Sequence, residues 1–225
     1  VEKAGRQKEM LFVRAEGDNY PRHSESNFID FNRDRLLFHM RTNEGPHMAM
    51  DSTGSYLLMP GAKGYESILY AISGGQMVAQ QVLAGSLEPE DIGGLFFDFD
   101  ADGDEDLYVY AGGLEYSAFS ANYLDRMYVN EGGKFTLKTR LIPAIRESSS
   151  DAKAIDVDKD GDPDLLVSVR AKPFVFGEPG NIILLENKGG RFEQKQDETV
   201  VDLQSVGMLK SLQVVDVNGD DWEDV

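Results

Sequence analysis

The chain has 225 residues, of which 41% are hydrophobic and 10% aromatic, a composition that is ordinary for a globular protein with a substantial core. It contains no cysteine, which excludes disulfides and metal sites built on thiolates. The formal net charge is −18, but sixteen of the forty acidic residues lie in three short segments, and outside them 24 acids face 21 bases. We therefore expect no basic surface suited to nucleic acid.

No apolar run of about 18 residues is present to span a bilayer, and the N-terminal residues lack the apolar segment of a signal peptide. We therefore expect a cytosolic protein or a processed or trimmed chain.

From residue 46 onward, short apolar runs, acidic segments and Gly-Gly pairs recur with one period. The second glycines of the pairs are Gly75, Gly133 and Gly190, which are 58 and 57 residues apart. The acidic segments begin at residues 98, 156 and 216, which are 58 and 60 residues apart. Two independent markers with nearly the same period indicate a tandem array.

Each unit contains four strand signals. Runs such as Leu95-Phe-Phe before an acidic segment and Leu107-Tyr-Val-Tyr after it are too short and too rich in β-branched or aromatic residues for helices. The Gly-Gly pair predicts a tight hairpin between two further strands. Four strands in such a unit fit a propeller blade, so the predicted fold is all-β: a β-propeller segment of about three blades plus part of a fourth. The predicted units are an N-terminal segment at 1–45 that supplies outer strands to a preceding or closing blade, a degenerate blade without a metal loop at 46–92, blades with a calcium loop at 93–150 and 151–210, and the start of a further blade with a third loop at 211–225.

The acidic segments place carboxylates at alternate positions, which suits calcium. This ion takes six to eight oxygen ligands at about 2.3–2.6 Å in irregular geometry. Gly103 and Gly161, sixth in the first two segments, are expected to adopt the positive φ that bends the chain round the ion. Asp221 replaces that glycine in the third segment, and aspartate tolerates the left-handed conformation better than most residues. The predicted ligands are the side chains of Asp98, Asp100, Asp102 and Asp106 with the carbonyl of Asp104 in the first loop, those of Asp156, Asp158, Asp160 and Asp164 with the carbonyl of Asp162 in the second, and those of Asp216, Asn218, Asp220 and Asp224 in a third candidate loop.

Other readings of these residues fit less well. An EF-hand requires a glutamate at position twelve, which falls on Val109 and Val167. An acidic turn without a cation would crowd several carboxylates together. In the degenerate blade, Asp51-Ser-Thr-Gly retains a single acid, so no metal is expected there. The histidines, His23, His39 and His47, have no zinc-site spacing.

The first two loops, each opening after an apolar strand and closing on leucine and a further apolar run, resemble the FG-GAP and VCBS repeats of integrin-α-type β-propellers. The stretches Asn27-Phe-Ile-Asp-Phe-Asn and Tyr108-Val-Tyr-Ala-Gly-Gly are similar to the bacterial VCBS-repeat proteins related to cartilage acidic protein, and this resemblance extends over about residues 27–225. It implies calcium as a structural element of each loop, an extracellular, cell-surface or periplasmic location, and binding, adhesion or scaffolding as the role. This sequence departs from the family pattern at Asp51-Ser-Thr-Gly, which lacks the ligand set, and at Asp221, where the family has glycine.

The resemblance also implies a ring of about seven blades, whereas this chain holds fewer than four. We therefore expect a segment of a longer protein. The alternative is a closed four-bladed ring in which residues 1–45 complete the blade begun at Ser211.

The expected function is non-catalytic, that of a calcium-stabilised extracellular module that binds a protein or glycan ligand or serves as a scaffold. The segment between Tyr108 and Tyr128 has an aromatic and polar composition able to stack on such a ligand. One alternative is a subunit of a larger surface assembly, in which partner subunits cover the blade edges. Another is part of a propeller-fold carbohydrate-active enzyme, a lyase or hydrolase, for which the candidate groups Glu115, Asp125, Arg126 and Glu147 have no recognisable pattern.

Overall fold

The computed structural model describes residues 47–173, 175, 178–196 and 203–225, and in these ranges the chain folds almost entirely as β-strands and loops. Within these ranges twelve strands form three four-stranded sheets in which every neighbouring pair is antiparallel. One turn of 3₁₀ helix is present at Ala121–Tyr123. In this part of the chain, no helix is long and apolar enough to cross a bilayer. The all-β prediction and the four-stranded, blade-like sheets are confirmed, whereas the predicted unit at 1–45 lies outside the described residues.

Each sheet is a meander whose strands follow one another in chain order. The first contains β1 (Ala49–Met50), β2 (Tyr56–Met59), β3 (Ile68–Ser73) and β4 (Gln76–Val82). The second contains β5 (Asp91–Phe97), β6 (Asp106–Ala111), β7 (Arg126–Asn130) and β8 (Phe135–Leu137). The third contains β9 (Ser148–Ile155), β10 (Asp164–Ala171), β11 (Ile182–Asn187) and β12 (Phe192–Gln194). In the predicted start of a further blade at 211–225, the structure has an isolated bridge between Val215 and Asp224.

The Gly-Gly pairs form the turns between the third and fourth strands of all three sheets. Both glycines of each pair have φ between 58° and 91°. Two successive residues with positive φ characterise the tight hairpin turn that matches the twist of the flanking strands, and glycine adopts this conformation without a steric penalty. The predicted hairpins are confirmed.

The core lies between the faces of adjacent sheets. β6 is buried along its whole length because its two faces pack on different neighbours. Leu107 and Val109 pack against residues of the first sheet such as Leu58. Tyr108 and Tyr110 point the other way and pack with residues of the third sheet such as Leu165. Alternation with a period of two therefore turns a continuous apolar run into a strand shared by two cores.

The first strands of the sheets lie innermost. β5 contacts both β1 and β9, whereas the residues of β4 are mostly exposed. Because each sheet is an antiparallel meander, the loops after the first strands and the Gly-Gly turns lie at one end of the sheets. The connections from second to third strands, and from one sheet to the next, lie at the opposite end.

A side chain joins the outer strands of the first two sheets. Gln81 in β4 donates through its Nε2 to the carbonyl oxygen of Phe135 in β8, and its Oε1 accepts from the Phe135 amide at 3.1 Å. One amide side chain therefore satisfies both main-chain polar groups of a residue on the neighbouring sheet.

Candidate metal centres

The first two acidic segments form the loops between the first and second strands of their sheets. Asp98 follows the end of β5, and Asp156 follows the end of β9. The ninth residue of each segment, Asp106 or Asp164, is already the first residue of the next strand. The strands thus hold both ends of each loop while its middle stays exposed.

Three carboxylates converge in each loop, from its first, third and ninth positions. Their oxygen atoms lie within 4.8 Å of one another, and in both loops the first residue is half-buried, the third exposed and the ninth buried. Such a group of carboxylates can hold a metal ion. The first loop brings together Asp98, Asp100 and Asp106, and the second Asp156, Asp158 and Asp164.

The fifth and seventh residues lie in the same loops but outside these triads. Asp102 Oδ1 accepts a hydrogen bond from the Asp104 amide at 3.0 Å. Asp160 Oδ1 accepts one from the Asp162 amide at 2.9 Å. The assignment of the Asp102 and Asp160 side chains and of the Asp104 and Asp162 carbonyls as ligands stays a prediction.

Hydrogen bonds to the first and last aspartates shape both loops in the same way. The amide of the sixth-position glycine donates to the first aspartate, at 3.0 Å in the first loop and 3.1 Å in the second. The amide of the second residue donates to the last aspartate, at 3.5 Å and 3.0 Å respectively. These bonds curve the backbone round the point where the triad meets.

The carboxylates are crowded, and a cation would relieve the crowding. Burial raises the pKa of Asp106 to about 7, and repulsion from other carboxylates of its loop adds to the increase. Burial also raises the pKa of Asp164, with the same kind of repulsion. Asp104 Oδ1 and Asp156 Oδ1 are buried and have no hydrogen-bond partner among the described residues. Because the sites offer oxygen atoms, surplus negative charge and buried atoms without partners, the residues present fit a hard divalent cation.

The comparison with protein families coincides with this pair of loops. Residues 98–167 match the FG-GAP-like repeat family. This part of the chain is similar to an FG-GAP-like repeat. The matched span begins at the first aspartate of the first loop and ends three residues after the last aspartate of the second. The predicted resemblance to FG-GAP repeats is thus confirmed, while the closer likeness to bacterial proteins related to cartilage acidic protein stays a prediction. Comparison with curated proteins gave no match.

We call the two loops in the matched span, 98–106 and 156–164, the FG-GAP loops. Each contains two residues with left-handed backbone conformation, of which the sequence predicts one. Gly103 and Gly161, at the sixth position, both have φ of 95°, as expected. Ala101 and Lys159, at the fourth position, have φ of 59° and 58°. The left-handed conformation costs a residue with a Cβ atom about 1–2 kcal/mol, so the rest of the loop must impose it.

The third loop reproduces the backbone of the FG-GAP loops with different residues. Gly219 occupies the fourth position with φ of 79°, and Asp221 the sixth with φ of 66°. Asp216 accepts hydrogen bonds from the amides of both residues, at 2.6 and 2.9 Å. The left-handed conformation expected of Asp221 is therefore present. Asn218 stands at the third position, so its triad would contain two carboxylates and an amide.

Lys159 connects the second loop to the third. Its Nζ donates to the Asp221 carbonyl oxygen at 2.6 Å and lies 3.8 Å from the centroid of the Trp222 ring. The one basic residue in the three acidic segments thus bridges two of them by a hydrogen bond and a cation–π contact.

The degenerate loop of the first sheet is closed by its own side chains. Asp51 Oδ1 accepts from the Tyr56 amide at 2.6 Å, and Asp51 Oδ2 accepts from the Thr53 hydroxyl. Both oxygens of its single acid are therefore engaged. The Ser52 amide also donates to Glu105 Oε2 at 2.8 Å, which links this loop to the first FG-GAP loop. That this loop binds no metal stays a prediction.

An asparagine before the Gly-Gly turn supports each FG-GAP loop, and the sequence analysis did not assign it. The main-chain amides of Asn130 and Asn187 each donate at 2.7 Å to Oδ1 of the last aspartate of their loop. The side chains are buried, at 5% and 1% exposure. A signal was present, because asparagine stands two residues before the first glycine in the units with complete loops, whereas Ile72 stands there in the unit without one.

The groups considered for catalysis belong to separate structural contacts. Asp125 is buried, accepts from the Ala111 amide at 2.8 Å and from two hydroxyl groups, and has a pKa raised to about 7 by burial. Arg126 forms a buried ion pair with Asp91. Glu115 is exposed beside Lys63, and burial raises the pKa of Glu147. His47 is exposed, and the other two histidines lie outside the described residues.

A pocket of about 370 Å³ lies at the end of the sheets opposite the FG-GAP loops. Connections β4–β5, β6–β7 and β8–β9 form its walls, with apolar side chains such as Leu87, Leu124 and Ile142. Of the aromatic residues expected to stack on a ligand, Tyr110 and Tyr123 are buried in the fold. Phe119 is 71% exposed and has φ of 62°, which is unusual for a bulky residue.

Proposed function

We propose that this protein is a non-catalytic β-propeller module whose FG-GAP loops bind calcium and are stabilised by it. The observation that carries this proposal is the pair of convergent carboxylate triads, each in a loop that also contains a buried carboxylate oxygen without a hydrogen-bond partner. Oxygen donors in flexible loops favour calcium over zinc, which prefers nitrogen and sulfur, and over magnesium, which demands a more regular octahedron.

The residues that would hold the ion also explain how it would stabilise the fold. In the first loop, Asp98 directly follows an inner strand, and Asp106 begins the next strand. A cation bound between them neutralises repelling charges and ties the two strands together. Because the ion binds the ordered loop and not the unfolded chain, it stabilises the protein by about 2.7 kcal/mol for each site at a free concentration of 100 times its dissociation constant.

The exposure of the loops supports an extracellular, cell-surface or periplasmic location. Asp100 and Asp158, the third-position members of the triads, are exposed, so each ion would keep contact with water. Partly hydrated sites of this kind suit the weak affinity of extracellular calcium modules, with dissociation constants of about 0.1–1 mM. Isothermal titration calorimetry measures this constant, and a value below 1 μM would contradict the extracellular assignment.

Thermal unfolding in calcium and in chelator tests the role of the ion. We expect calcium to raise the melting temperature by about 2–4 °C for every kcal/mol of stabilisation, and chelator to reverse the increase. The variant Asp100→Asn should lose part of this response because it removes a triad carboxylate. The matched variant Asp51→Asn, in the degenerate loop, should retain all of it. Equal melting curves for the wild type in calcium and in chelator would refute the proposal.

We also propose that the end opposite the FG-GAP loops binds the protein or glycan ligand of this module. The apolar pocket supports this assignment, and Phe119, two residues before the lining residue Ala121 in the chain, is exposed. A protein and glycan array with the wild type, Phe119→Ala and Leu87→Ala tests it, and binding that survives both substitutions would place the ligand elsewhere. No observation favours the enzyme alternative, since Asp125 and Arg126 are both committed to structural hydrogen bonds.

A further inference from the structure

We propose that Asn187 couples the two FG-GAP loops, so that an ion in the first loop raises the affinity of the second. This inference rests on the calcium binding proposed above. It concerns a residue outside both loops that touches each of them.

Asn187 is the last residue of β11 and is 1% exposed. Its main-chain amide donates to Asp164 Oδ1 of the second loop at 2.7 Å. Its side-chain Nδ2 donates at 2.8 Å to the carbonyl oxygen of Phe99, which lies between Asp98 and Asp100 of the first loop. One residue therefore bonds a triad carboxylate of one loop and the backbone of the other.

The connection continues to the buried carboxylate of the first loop. The Phe99 amide donates to Asp106 Oδ2 at 3.5 Å. The Phe99 side chain is 3% exposed and lies 6.2 Å from the ring of Phe192 of the third sheet, centroid to centroid. Hydrogen bonds therefore run from Asp106 through Phe99 and Asn187 to Asp164. The residues on this path are buried, so water competes little for these bonds.

The direction of the coupling follows from this path. An ion held by Asp106 and its neighbours fixes the backbone of residues 98–100 and so the direction of the Phe99 carbonyl. That carbonyl holds the Asn187 side chain and, through it, the amide that orients Asp164. The second loop then binds its ion with less ordering left to complete, and by linkage the second ion favours the first equally.

The second sheet provides a matched control. Asn130 makes the same local bonds as Asn187: its amide donates to the last aspartate of its loop, its Nδ2 donates to the residue before that aspartate, and its Oδ1 accepts from the second turn glycine. Within the described residues, no hydrogen bond joins the Asn130 side chain to the loop of the preceding sheet. Asn130→Ala and Asn187→Ala thus remove the same local side-chain bonds and keep the main-chain amide bond to the aspartate, but only the latter removes the bond between loops.

Calcium titration of the full chain, followed by NMR, resolves the two sites. The amides of Gly103 and Gly161 each bond the first aspartate of their own loop and report its occupancy separately. The first site is removed by the double substitution Asp98→Asn and Asp100→Asn. We expect this to weaken binding at the second site, read from Gly161, by about 3- to 10-fold, which corresponds to one net hydrogen bond.

In Asn187→Ala the two sites should be independent. Removing the first site should then change the affinity of the second less than 2-fold, which corresponds to about half the net contribution of one hydrogen bond. In Asn130→Ala the coupling should persist. Asn187→Ser also lacks the side-chain amide group and takes the place of Asn187→Ala if that variant does not fold. Coupling that survives in the Asn187 variant, or that is absent from the wild type, overturns this inference while calcium binding stands. If neither glycine signal shifts in millimolar calcium, the proposed calcium binding itself is wrong, and the coupling with it.

Discussion

Gly161→Ala tests whether the left-handed sixth position shapes the second loop. Gly161 has φ of 95°, and a Cβ atom placed there would have no heavy atom within 4 Å beyond those of its own and the adjacent residues. The added methyl group therefore meets open space, and its cost comes from the backbone conformation alone. That cost is about 1–2 kcal/mol for a residue with a Cβ atom. We expect the free energy of unfolding to fall by this amount.

Urea unfolding in saturating calcium measures the change. In a chain of this size the melting temperature should fall by about 2–8 °C. Gly161→Asp serves as the control because the third loop has Asp221 at the same position with φ of 66°. Aspartate enters the left-handed region more readily than alanine, so Gly161→Asp should cost less.

Two outcomes would refute this reasoning. If Gly161→Ala unfolds at the same urea concentration as the wild type, the loop does not depend on a left-handed residue. If Gly161→Asp is as destabilising as Gly161→Ala, tolerance of this conformation does not explain how aspartate replaces glycine in the third loop.

Three further changes have outcomes that the structure predicts. Asp221→Gly removes a left-handed residue that carries a side chain. Calcium should therefore bind the third loop more tightly, by up to about 10-fold. Titration followed by Trp222 fluorescence measures this affinity, and weaker binding would contradict the prediction. The pKa of Asp125 is raised from 3.8 to about 7, so the folded state holds the proton more strongly and stability should fall as pH rises between these values. The slope approaches about 1.4 kcal/mol per pH unit for one group, and Asp125→Asn should flatten it in urea unfolding at pH 5 to 8; an unchanged slope would contradict the shift. Gln81→Ala leaves both main-chain groups of Phe135 without their partner and should cost about 1–3 kcal/mol, whereas the neighbouring Gln80→Ala, at an exposed position, should cost little.

Local signals were sufficient to predict most of the strands, the Gly-Gly hairpins and the acidic segments in which carboxylates converge. A Gly-Gly pair between apolar runs has few conformations available, and alternate carboxylates in a short loop converge because both loop ends are held by strands. These features depend on residues close in sequence. The same reasoning could not identify the left-handed Ala101 and Lys159, since neither residue favours that conformation and the closure of the loop imposes it.

Contacts between blades were beyond sequence reasoning. Asn130 and Asn187 have the same local context, yet among the described residues only the Asn187 side chain bonds the loop of its neighbouring sheet. The role of the aromatic residues between Tyr108 and Tyr128 was ambiguous for a similar reason. Composition alone does not distinguish an aromatic side chain that stacks on a ligand from one that fills a core, and Tyr110 and Tyr123 fill the core.

The bond between Asn187 and Phe99 also bears on synthesis of the protein. Its two residues are 88 positions apart, so the carbonyl of Phe99 emerges from the ribosome long before its donor exists. At about 5–20 residues per second, translation delays this bond by about 4–18 s. During that interval the second blade can pair its strands but cannot complete the support of its loop. Nascent chains halted before residue 187 should therefore be cleaved by protease near residue 99 more readily than chains that extend beyond it.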